Sequence, residues 1–202
     1  PPATRTSPHA AGRGLMNTTQ RPFMQSSGVD VALGLGSSMG PRRATLERTI
    51  RQLDAHPDLE LLAVSRWYRT PPMRGGTARG WFLNGVARFR TRLSPDTLLD
   101  LCRELERQSG RRRARFWGDR PLDLDILLYG TSVVTTATLT LPHPGIGTRS
   151  FVYWPLLEVW PDAEDPVTQH AWVDAKNQPD PLKDPVGVFA RRRPLAYLTG
   201  HP

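Results

Sequence analysis

The sequence predicts an α+β domain in which an antiparallel sheet carries helices on its faces. Four stretches alternate apolar with small or polar side chains, the period of a strand. Two more repeat apolar residues at helical spacing between recognisable caps. They follow one another as β-α-β-β-α-β, the split βαβ order of a ferredoxin-like core, giving three layers, α/β/α. At 202 residues the chain has length for one such core.

The first strand is set by Val29, Val31, Leu33 and Leu35, and runs into a Gly-rich turn from Gly34 to Gly40. Pro41 suits a helix start, and Leu46, Ile50 and Leu53 form its inner stripe until His56-Pro57-Asp58 stops it. A second strand is expected over Leu59–Tyr68 and a third over Trp81–Thr91, with a Gly- and Arg-bearing loop between them. Ser94-Pro95 caps and opens the second helix, which turns Leu98, Leu101, Cys102 and Leu105 inward and closes at Gly110. An arginine-rich loop, Arg111–Arg120, leads to a fourth strand over Leu122–Tyr129. A hairpin is expected near Val133–Leu141 and a short helix near Trp154–Trp160. Residues 1–28 read as a disordered extension, 29–162 as the domain, and 163–202 as an irregular tail in which Arg191–Arg193 are solvated.

The formal net charge of +8 points to anionic ligands. Nearly all the positive charge is arginine, the lysines being only Lys176 and Lys183. A P-loop and a protein-kinase lobe both need a lysine beside the phosphates, so neither can be built in this sequence. Cys102 is the only cysteine, which excludes an intrachain disulfide and a cysteine metal cage. The leader lacks the apolar stretch of a secretory signal, and no apolar run is long enough for a membrane span. A cytoplasmic monomer with neither a membrane nor a nucleic-acid partner is the expectation.

Leu122-Asp-Leu-Asp-Ile-Leu-Leu-Tyr129 carries the strongest chemical signal. Period two places Leu122, Leu124, Ile126 and Leu128 on one face and Asp123 and Asp125 on the other. The two acids lie about 6.5–7 Å apart at Cα. They can share divalent ions with substrate phosphates, and hard oxygen donors select magnesium. A solvated strand face is the alternative, although acids are uncommon in strands. In the loop before it, Arg111, Arg113, Arg115 and Arg120 can grip phosphate oxygens. With Phe116 and Trp117 the same loop could instead be a basic stacking surface. Gly34 and Gly36 do not have the spacing of a dinucleotide fingerprint and read as a tight turn at the strand end. Asn84 and Phe82 share a strand face and could meet a flat heterocycle, with plain core the default for Phe82. His143, between two prolines, reads as a turn residue.

Taken together, these segments resemble the 6-hydroxymethyl-7,8-dihydropterin pyrophosphokinase family. The resemblance rests on Ala32-Leu-Gly-Leu-Gly-Ser, Ser65-Arg-Trp-Tyr-Arg-Thr-Pro-Pro, Phe82-Leu-Asn84, Glu106 to Arg111, Trp117-Gly-Asp-Arg-Pro-Leu-Asp-Leu-Asp-Ile126, and Leu141-Pro-His-Pro with Arg149-Ser-Phe151. It implies transfer of a diphosphate from ATP, the co-substrate, to the pterin hydroxymethyl group, releasing AMP. It further implies that Asp123 and Asp125 hold two Mg²⁺ ions and that Arg111, Arg113 and Arg120 neutralise the moving charge. His143 and Arg149 would grip phosphates, with Glu106 and Ile126 beside the nucleotide. Phe82 and Phe151 would sandwich the pterin, whose edge Asn84, Thr70, Pro71 and Met73 would read, with Asp123 near its hydroxymethyl. The chain departs from the family pattern at Ser38, at Asp119 (where Trp-Gly-Pro-Arg is usual), in a shorter arginine loop, and in a longer loop carrying Arg74 and Arg79. A binding-only paralogue acting as a pterin or nucleotide sensor is the second reading.

Overall fold

A computed structural model describes residues 28–72, 75–110, 118–174 and 191–192. Strand β1 (Val29–Ser37) lies between β4 (Phe82–Thr91) and β5 (Asp123–Tyr129), antiparallel to both. The far side of β4 pairs first with β2 (Leu59–Val64) and then with β3 (Trp67–Thr70). Helices α1 (Arg42–Asp54), α2 (Pro95–Gln108) and α3 (Ser150–Val159) cover the sheet. A small hairpin joins β6 (Val134–Thr135) to β7 (Thr140–Leu141), and β8 (Arg191–Arg192) pairs with β3. The chain is thus α+β with an antiparallel sheet. No helix among the described residues is long and apolar enough to cross a membrane.

Alternation along the strands builds two cores. Val31, Leu33 and Leu35 of β1, with Phe89 of β4, pack against Leu46, Ile50 and Leu53 of α1 and Leu98, Cys102 and Leu105 of α2. On the opposite face Ala32, Val86, Leu127 and Leu128 pack against Val152, Tyr153, Leu156 and Val159 of α3. Helix α2 starts where its cap predicts. The Thr97 N–H donates to Ser94 Oγ at 3.2 Å, Pro95 opens the helix, and Gly110 takes φ +85° beyond its end.

Three elements differ from the sequence reading. The strand expected over Leu59–Tyr68 is two strands, because Ser65 interrupts the ladder. Its hydroxyl accepts the Val86 N–H at 2.9 Å, and the Trp67 ring then crosses Gly85, where a Cβ would lie 2.7 Å from ring carbons. In β5 the register shifts opposite Ala32 and Leu33, leaving Leu127 as an extra residue. Leu128 therefore joins the α3 face, whereas Leu122, Leu124 and Ile126 stay on the α1–α2 face. Helix α3 begins at Ser150, not near Trp154. A start at Trp154 would have placed Pro155 in the favoured first turn. Instead the turn Ile146–Thr148 delivers Arg149, whose carbonyl accepts the Val152 and Tyr153 N–H groups at 3.0 and 2.9 Å.

Packing also continues past Asp162. Ala163 and Trp172 are buried in the α3 core, the Trp172 N–H donates to the Ala163 carbonyl at 2.9 Å, and the Tyr153 hydroxyl donates to the Trp172 carbonyl. The backbone of Arg191–Arg192, read as part of a solvated run, is a sheet edge. Residues 1–27 of the expected extension, and Arg193, lie outside the described residues.

Candidate active site

A cavity of about 390 Å³ opens where β1, β4 and β5 end, between α2 and the start of α3. Its floor is made possible by glycine. Gly34 and Gly36 lie inside β1, not in a turn, and face β5 across Asp125 and Asp123. A Cβ on Gly36 would stand 2.9 Å from Asn84 Oδ1 and 3.6 Å from Asp123 Cβ, so the missing side chain is the space between them.

Asp123 and Asp125 both reach the cavity, as their shared strand face predicts. Arg120 Nη1 donates to Asp123 Oδ1 at 2.6 Å. The Asp125 pKa is pushed up to about 7. Burial is the main cause, followed by the Asp123 charge; Glu106 adds to it, while Arg149 and Arg120 oppose it. Glu106 lines the same wall and fastens α2 to β5 by accepting the Leu124 N–H at 2.9 Å. Burial and the Arg149 charge hold His143 down to about 4 against the pull of Asp123, so its imidazole is neutral. Nδ1 accepts the Gly145 N–H at 2.9 Å, which leaves the proton on Nε2 as a donor. Arg149 lines the cavity one residue before α3.

The same cavity suits a flat polar molecule. Thr70, Pro71, Phe82, Asn84 and Phe151 all line it. Asn84 Nδ2 donates to Thr70 Oγ1 at 2.8 Å, which fixes the amide and leaves its oxygen as an acceptor. Ala78, Leu99, Arg103 and Val152 also line it, and the sequence reading named none of these for the site. Leu99 lies one residue beyond Leu98 and Arg103 one beyond Cys102, so helical spacing placed their neighbours inward and gave no cue to a cavity. Ile126 does not line the cavity. Its side chain is buried on the α1–α2 face, as its strand parity requires. Met73, Arg111 and Arg113 lie outside the described residues.

Magnesium fits this donor set. Two carboxylates converge where burial and their mutual repulsion oppose the charge on Asp125, and a divalent cation would offset that repulsion. Among the described residues no group of three or more His, Cys, Asp and Glu gathers into a cage. That suits a metal that keeps waters and takes its remaining oxygens from substrate phosphates.

Paired acids, arginines and aromatic rings turned into one cavity of an antiparallel α+β sheet define a phosphotransferase with a flat acceptor. Residues 32–161 match the family described as 7,8-dihydro-6-hydroxymethylpterin-pyrophosphokinase (HPPK), and the chain belongs to that family. It is 42% identical over 130 residues to the 2-amino-4-hydroxy-6-hydroxymethyldihydropteridine pyrophosphokinase of Methylorubrum extorquens, covering 64% of this chain and 82% of the relative. The protein of the same name from Pseudomonas aeruginosa is 36% identical over 140 residues, covering 69% of this chain and 86% of that one. A crystal structure of an HPPK-DHPS in complex with substrates superposes with a TM-score of 0.57 at 12% identity. The match covers 75% of this chain and 43% of that one, and the likeness is one of fold.

Proposed function

We propose that the chain transfers a diphosphate from ATP to the hydroxymethyl group of 6-hydroxymethyl-7,8-dihydropterin, a step of folate synthesis. The pterin oxygen bonds to the β-phosphorus, the bond from that phosphorus to the AMP oxygen breaks, and the hydroxyl proton is lost. The observation that carries this reading is one cavity lined both by Asp123, Asp125, Arg120, His143 and Arg149 and by Phe82, Phe151, Asn84 and Thr70.

Asp123 and Asp125 would hold magnesium, which when bound supplies positive charge at the phosphates. The remaining work is positioning and charge neutralisation by the chain's own groups. Arg120 and Arg149 bind phosphate oxygens, and neutral His143 donates to one from Nε2. Phe82 and Phe151 hold the pterin ring, and the fixed Asn84 oxygen accepts a hydrogen bond from its edge. Arg111 and Arg113 belong to the same assignment, as do Met73 on the pterin side and Ile126 on the nucleotide side.

We also propose two magnesium ions, which Asp123 and Asp125 would hold, and assign the transfer to residues 29–162, which contain the lining residues among those described. The strand order β5-β1-β4 with β2 and β3 outside it supports the ferredoxin-like arrangement. We propose that the chain works as a monomer. A free cysteine and an ATP substrate suit the cytoplasm. The test is AMP release from Mg-ATP with and without the hydroxymethyl-dihydropterin. AMP that appears only with the pterin is expected. Binding of both ligands without AMP would identify a sensor instead.

A further inference from the structure

We propose that Asp119 is a positioning residue that locks the pterin-side wall of the cavity to the segment carrying Arg120. Its two carboxylate oxygens accept two successive backbone donors. The Arg79 N–H reaches Oδ2 at 3.0 Å and the Gly80 N–H reaches Oδ1 at 3.1 Å. Ala78, the residue before this pair, lines the cavity, and Phe82 lines it just beyond. On the other side of the clamp, Arg120 lines the cavity and holds Asp123 at 2.6 Å. One carboxylate therefore joins two walls made from segments about 40 residues apart in the chain.

Ser38 completes the junction from the end of β1. The Arg120 N–H donates to Ser38 Oγ at 2.9 Å, and the Ser38 N–H donates to the Arg120 carbonyl at 3.0 Å. Space at the junction is tight, since a Cβ on Gly80 would lie 3.0 Å from Asp119 Oδ1 and 3.1 Å from the Ser38 carbonyl. Beside it Arg42 Nε donates to the Trp81 carbonyl at 3.1 Å, and its guanidinium sits 4.0 Å from the Trp81 ring centre. Donation from the Arg79 N–H holds the Asp119 carboxyl below the usual range against a contrary effect of partial burial. The Gly80 N–H, the Ser38 hydroxyl and Arg42 add to the lowering. The acceptor is thus charged at working pH, where hydrogen bonds to it are strong.

The inference rests on the pterin reading and deepens it, so its test separates the two ligands. Dissociation constants for 6-hydroxymethyl-7,8-dihydropterin and for a non-hydrolysable ATP analogue are measured on the full chain, together with thermal melting. Asp119→Ala loses two charge-assisted bonds and should weaken pterin binding about 10-fold, with nucleotide affinity within about twofold and melting little changed. Asp119→Asn keeps the size and one acceptor oxygen and should fall between; it reads the same split should the alanine variant not fold. Equal losses for both ligands, or unchanged pterin affinity in the asparagine variant, would overturn the clamp and leave the reaction standing. Failure of the unaltered chain to bind the pterin would overturn both.

Discussion

Burial and the neighbouring Asp123 carboxylate both oppose a charge on Asp125, which explains a pKa near 7. A carboxyl raised in the folded state contributes stability fully present below its ordinary value and lost as pH rises through the folded one. His143, held down to about 4, acts in the opposite sense, since its neutral form is favoured above its ordinary value. Comparison with a variant isolates Asp125. In metal-free buffer Asp125→Asn should melt above the unaltered chain at pH 8, and the gap should shrink towards pH 5. The same change should cut turnover in saturating magnesium by about 100-fold, the scale of a lost electrostatic contact in a transition state. Near-normal turnover would rule out the metal assignment. These two acids were legible in sequence because strand parity alone puts them together. Gly36 was not, since its role is the room it leaves between Asn84 and Asp123, and those meet it from other strands. Asp119 was visible as a departure, but its partners Arg79 and Gly80 are brought near only by the fold.

The elements were legible wherever local pattern agreed with tertiary context. Caps and apolar stripes placed α2, and alternation placed β1 and β4. A boundary failed where a single side chain replaced a backbone partner, as Ser65 does, and a face assignment failed where an extra residue entered a strand, as Leu127 does before Leu128. Helix α3 is also fixed from outside. Its Glu158 accepts the Arg66 N–H at 2.9 Å and Arg66 Nε at 2.8 Å, and takes further bonds from Arg66 Nη2 and the Tyr68 hydroxyl. Burial alone would raise the Glu158 pKa, but these bonds outweigh it and the net shift is downward. Its carboxylate therefore stabilises the fold above its ordinary pKa, a contribution lost as pH falls through the lowered value. Glu158→Gln should cost about 1–2 kcal/mol near neutrality, with the difference fading in acid titrations followed by melting. A cost that persists undiminished at pH 3 would show that shape rather than charge matters there.

For the whole molecule, the boundary at Asp162 understates the folded unit. Pro and Asp dilute the apolar pattern beyond that point, so the sequence offered no periodicity to follow. Yet Trp172 is only 6% exposed and closes the α3 core beside Tyr153 and Ala163. Trp172→Ala should therefore destabilise the chain by about 2–4 kcal/mol, read from urea unfolding. A chain ending at residue 162 should melt well below one ending at 174. Equal stability of the two would place Trp172 outside the cooperative unit.

The extra residue in β5 has a consequence for how the chain can vary. Before Leu127 the strand shows acids to one side and core to the other, whereas Leu127 and Leu128 both bury against α3 and Tyr129 returns to the α1–α2 face. One strand thereby holds two separate kinds of mutational tolerance. Changes at Asp123 and Asp125 should impair turnover in protein that still accumulates, and changes at Leu128 should lower abundance while leaving each surviving molecule active. Deleting Leu127 would leave that division in place, because Ile126 and Leu128 already pair with the consecutive residues Leu33 and Ala32 and each residue beyond would keep its side.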